Sequence, residues 1–173
     1  MRRLGVIVAL GALLGLLGGL VTASPAVAGR GPKWHLDTAK PFTLPAAFCG
    51  FKVRVSPRVN KGYEKLLKAS DGSMTILVTG SLKVSFTNVS TGTAITENAT
   101  GPGTVTVHPD GSITAAGGGH GLLILAPADA ARFGFPAVSV TTGRLTGSIA
   151  ADGRFTSLSL RGHVVVNVCA ALT

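Results

Sequence analysis

The chain has 173 residues, 16 lysines and arginines against 7 acids, a formal net charge of +9 and only 5% aromatic residues. So few acids, three of them in Asp-Gly pairs, leave little material for paired-carboxylate catalysis, and so few aromatics leave few stacking platforms for nucleic acid. No Gly-x-Ser-x-Gly elbow, His-Glu-x-x-His pair or phosphate-cradling glycine loop occurs, and His35, His108, His120 and His163 lack metal-ligand spacing; neither a metal nor a cofactor is expected.

In chain order, residues 1–28 come first. Arg2 and Arg3 precede an apolar run over 4–21, and Ala26 and Ala28 stand where a signal peptidase needs small residues. This predicts a cleaved export signal, a secreted, extracellular protein of about 145 residues and no transmembrane segment afterwards. An uncleaved anchor is the competing reading, since the run is long enough to span a bilayer.

Residues 29–47 form a basic, proline-containing lead-in expected to be extended or mobile. Between 30 and 68 there are nine bases and two acids, whereas 69–173 holds five of each. That excess points to contact with an anionic envelope polymer or lipid surface through Arg30, Lys33, Lys40, Lys52, Arg54, Arg58 and Lys61, with simple solubility as the alternative.

From residue 48 onward one domain extends to residue 173. Apolar and polar residues alternate in the β manner over 48–69, 74–88, 93–108, 113–126, 137–150 and 155–168, and only 63–68 offers a short helical alternative. Asp71-Gly72, Asp110-Gly111 and Asp152-Gly153 separate these runs as hairpin turns, read here as the tight primed type; the segments 88–92 and 127–136 are longer loops. The pattern predicts an all-β fold, an antiparallel up-and-down meander. Mid-strand glycines permit the coiling needed to close it into a small six- to eight-stranded β-barrel, with a two-sheet β-sandwich as the alternative. In a barrel the first and last strands are neighbours, so Cys49 and Cys169 would meet as a disulfide. By simple alternation Cys169 falls on the wrong face, which a bulge near Asn167 or an early exit from the strand would correct.

Glu97 shares parity with Ile95 and Ala99, and His120 with Leu122 and Ile124, so both are weak candidates for a catalytic acid or base inside a barrel. Phe133 and Phe135 are candidate anchors for a loop contact.

The segments Phe48-Cys49-Gly50-Phe51-Lys52-Val53, Thr79-Gly80-Ser81-Leu82-Lys83-Val84 and Val168-Cys169-Ala170-Ala171-Leu172 resemble small secreted two-cysteine β proteins of high-GC Gram-positive bacteria. That resemblance implies a bacterial exported protein of one domain with a paired cysteine, and it supplies no catalytic residues. The leading expectation is an extracytoplasmic binding or envelope-associated protein, with a small apolar ligand also possible if a lumen has room. The alternatives are a barrel enzyme of cyclase or isomerase type acting on a small apolar substrate, and a structural or inhibitory protein acting through its loops.

Overall fold

The computed structural model describes residues 32–37 and 39–173; the expected signal and Arg30 lie outside them. The elements run β1 (His35–Leu36), β2 (Phe42–Leu44), β3 (Val53–Lys68), β4 (Met74–Asn88), β5 (Ala94–Asn98), β6 (Gly103–Val107), β7 (Ile113–Gly117), β8 (His120–Ile124), α1 (Pro127–Phe133), β9 (Val138–Ile149), β10 (Phe155–Asn167) and α2 (Val168–Ala171).

The three Asp-Gly turns share one design. In each, the glycine amide donates to the carbonyl three residues back, at Ala69, His108 and Ala150. The aspartate side chain accepts the amide two residues on, that of Ser73, Ser112 and Arg154, at 2.8, 2.8 and 3.0 Å. Among the described residues only glycines carry positive φ. The expected primed turn needs positive φ at the aspartate as well, so these are type I turns closed by a left-handed glycine.

The fold is all-β and antiparallel. The path β3-β4-β6-β7-β9-β10 joins consecutive ribbons, with β1 and β2 on the outer side of β3. Two of the six expected ribbons are interrupted. β5 and β6 face β4 in one register, as do β7 and β8 against β9. The lead-in is not a loose arm over its described part: it supplies β1 and β2, two short edge strands. Residues 63–68 belong to β3 rather than to a helix, and the expected loop 127–136 contains α1. This helix has a proline in its first turn and left-handed Gly134 as its cap.

Closure is where expectation and structure part. Among the described residues β10 pairs only with β9, and the ladder stays open. The cysteines nevertheless meet, Cys49 to Cys169 across 120 residues with Cα atoms 5.1 Å apart. Both anticipated corrections occur at once: a register shift between Val164 and Val166, and Cys169 seated in α2 beyond the strand end.

A transverse row of glycines explains the shape. Gly62 faces Gly80 and Gly143 faces Gly162 in their ladders, and the amide of Gly143 donates to the carbonyl of Gly119. A Cβ on Gly119 would lie 3.4 Å from the Cα of Gly101, and the common register of β5 and β6 sets Gly101 opposite Gly80. One glycine per ribbon therefore lies on one line. At Gly143, with φ 109°, a Cβ would sit 2.2 Å from the carbonyl oxygen of Arg161. No other residue allows backbones this close, and the sheet creases here.

On the turn side of the crease the sheet is continuous. On the disulfide side β5 and β8 part, and the hydroxyl of Thr100 takes the place of a ladder partner by bonding both the amide and the carbonyl of Leu82. The two flaps close on a core that includes Val53, Val84, Phe86, Ile124, Val138, Val140 and Val168. A second core, with Leu123, Leu125, Leu145, Ile149 and Phe155, lies under α1. Leu122-Leu123-Ile124-Leu125 alternates between the two cores and is buried on both faces, which accounts for its unbroken apolar run.

Candidate functional site

The register places side chains of one sort on the face of the turn half away from the second core. Thr75, Thr106, Thr114, Ser148 and Ser157 stand in line across five strands, and Thr104, Ala116, Thr146 and Ser159 make the next line after Leu77. The hydroxyls of Thr75 and Thr106 are 3.0 Å apart. The row beside the glycine crease carries Thr79 and the exposed, cross-strand pair Arg144 and Arg161.

The crease makes this open face concave. The resulting groove, of about 690 Å³, has Gly103, Gly117, Gly118 and Gly119 in its floor, Thr79, Thr104 and Leu77 beside them, Trp34 at one wall and Arg144 at the other. Trp34 is 47% exposed and enters through the edge strand β1, whose Leu36 pairs with Tyr63 of β3. No ion pair engages Arg144 among the described residues, where Arg154 with Asp152 is the ion pair present, at 3.6 Å. A floor of peptide groups and hydroxyls between an indole and a guanidinium suits a ligand with flat apolar faces, polar edges and negative charge.

The sequence-predicted bases fall beside this groove. Lys33, Lys40, Lys52, Arg54, Arg58 and Lys61 are all exposed. Cross-strand partners put Arg54, Lys61 and Lys65 of β3, and Lys83 of β4, on the same open face.

The other candidates scatter. Glu97 lies opposite Val84 on the face of the first core, and His120 lines a cleft of only about 20 Å³ at the crease. No hydrogen bond or ion pair joins either to another side chain. The first core occupies the space between the flaps, with Ala99 and Ile95 beside Glu97 and Leu122 and Ile124 beyond His120. Phe133 and Phe135 turn inward onto the second core instead of standing free as anchors. Phe133 meets Phe155 edge-on at 6.3 Å under the guanidinium of Arg132, which donates to the carbonyl of Phe155 at 3.0 Å.

One acidic spot escaped the sequence reading. Asp37 is buried, its amide donating to the carbonyl of Gly62 and its carbonyl accepting from the Asn60 side-chain amide, and Glu64 has a buried, unpartnered Oε2. Burial pushes the Glu64 carboxyl above its usual range, the Asp37 carboxylate adds to this, and His35 opposes it. Glu64 is the ladder partner of His35, and Asp37 directly follows β1, so both lie close in the chain or the ladder to Trp34.

No group of three or more metal-ligating side chains occurs among the described residues, nor is any helix there long and apolar enough to cross a membrane. No protein family, characterised protein or solved structure matches the chain.

Proposed function

We propose that this is an exported, non-catalytic binding protein that holds an anionic envelope polymer or lipid headgroup surface against the basic side of its open face. The observation that carries this is the row of unpaired bases on one face of two adjacent strands, Arg54, Lys61 and Lys83 exposed and Lys65 half-buried. Like charges so arranged repel one another and are relieved by a polyanion. The disulfide and the resemblance to small secreted two-cysteine bacterial proteins support export. The separation of β5 from β8 supports reading the disulfide half as a sandwich-like pair of flaps rather than a barrel.

The test is sedimentation with vesicles of anionic and of neutral lipid, and with isolated bacterial cell walls, at low salt and at about 0.5 M, where the screening length is a few ångströms. Anionic retention at low salt and release at high salt is the expected result. Retention equal on neutral and anionic surfaces, or unchanged by salt, counts against the proposal. A variant with Arg54, Lys61 and Lys83 all changed to Gln should lose retention while keeping its fold.

A further inference from the structure

We infer that the groove along the glycine crease is a binding site for an extended anionic oligosaccharide lying across the strands. The inference rests on the polyanion reading above and gives that reading a defined ligand class and a second set of residues.

The argument begins with the floor. Between β4 and β9 the groove crosses four strands spaced ~4.8 Å apart, a length of about 14 Å. Along that length Gly103 and Gly117 to Gly119 present no side chains, so a ring can approach the peptide groups themselves. Thr79 and Thr104 add hydroxyls that donate or accept. Such a floor matches the alternating hydroxyl and C–H faces of a sugar chain. The floor peptides are already paired in the ladders, and an acyl tail would bury the Thr79 and Thr104 hydroxyls and the Arg144 guanidinium without partners. An extended peptide needs a free strand edge to pair with, and the face of a sheet offers none.

The walls supply the rest. Trp34 offers a broad indole to the apolar face of a pyranose ring. Arg144 stands opposite with its ladder partner Arg161 alongside, and a guanidinium fork fits a carboxylate or phosphate with two parallel hydrogen bonds. No acid lines the groove. The charge on the ligand is therefore negative.

Trp34 is the chain's single tryptophan, so its fluorescence reports occupancy of the groove. Titration of the mature protein at low salt would use three probes: a pentameric galacturonate, a neutral cellopentaose, and linear polyphosphate of matching charge. The galacturonate should give a saturable spectral change, cellopentaose a weaker one, and polyphosphate binding without a shift. Arg144→Gln should weaken galacturonate tenfold or more, as loss of a charge-assisted pair does, with the free protein's spectrum unchanged. Trp34→Ala, followed by calorimetry, should weaken both sugars.

Polyphosphate binding with no response to either sugar overturns the groove assignment and leaves the polyanion reading standing. Cellopentaose binding as tightly as galacturonate overturns the anionic ligand class, and if vesicle and wall retention also fails, the polyanion reading falls with it. Galacturonate affinity equal in Arg144→Gln and the parent overturns the inference.

Discussion

Toward the Asp-Gly turns the six ribbons form one sheet with a hydroxyl-lined open face and a single helix over the other. Beyond the glycine row the same ribbons split into two flaps, joined by a disulfide and closed on a core whose Val53, Phe86, Val138 and Val168 are wholly buried. The two halves are built from strands of similar composition. What separates them is how the faces are used: the disulfide half folds two apolar faces onto one core, whereas the turn half leaves the threonines and serines of its open face uncovered. The larger core therefore lies on the disulfide side of the crease and the groove on the turn side, while Arg54, Lys61 and Lys83 carry the charge across the line.

That contrast can be tested by perturbing each side in turn. The largest effect belongs to the bridge. Cys49→Ser with Cys169→Ser should cost about 4–5 kcal/mol in the chain-entropy view of a loop this long, read from urea denaturation. Next, Phe86→Ala in the flap core should cost about 3–5 kcal/mol, while Phe133→Ala, half-buried at the end of α1, should cost about 1–2 kcal/mol. Equal losses would erase the distinction between the halves. The crease itself comes third. Gly143→Ala meets the Arg161 carbonyl and should cost about 2–3 kcal/mol or more, whereas Gly153→Ala, also at positive φ but with nothing within 4 Å, should cost about 1 kcal/mol. Both can be read from thermal midpoints.

The smallest effects are those of pH. Glu64 holds its proton more tightly folded than unfolded, so its contribution is fullest in acid and is lost as pH rises through its raised folded value. Glu64→Gln should accordingly lift the melting temperature at neutral pH and leave it unchanged in acid. Asp71 and Asp110 act in the opposite sense. Bonds from Ser73, led by its amide, and from Ser112, led by its hydroxyl, hold both carboxyls below their usual range. The stability they give is present above that range and fades as pH falls through their folded values. Asp71→Ala with Asp110→Ala should flatten that acid limb.

Much of this was legible before any coordinates. The ribbon 74–88 emerges with the bounds its alternation predicts, the three Asp-Gly pairs mark hairpins at one end, and two cysteines have one pairing available. Short elements were not legible. Pro127–Phe133 makes under two turns of helix, too few for periodicity to register, and the prolines around Trp34 hid a strand held by only two residue pairs. The groove was invisible for a different reason. Thr79, Gly103, Gly118 and Arg144 are ordinary residues on four ribbons, and only cross-strand register brings them together. The row of glycines was likewise present as scattered letters, its alignment encoded in pairings that no single segment contains. Closure failed as an expectation because the bridge joins an entry loop to a terminal helix, so covalent proximity does not require the edges of β3 and β10 to form a ladder.

The position of that bridge also sets an order of events. Its two sulfurs belong to the turn before β3 and to α2, 120 residues apart, so oxidation can only follow the arrival of Cys169 after every strand of the sheet. Until then each hairpin rests on its own tight turn and nearest neighbours, and a chain interrupted before Cys169 would lack its latch.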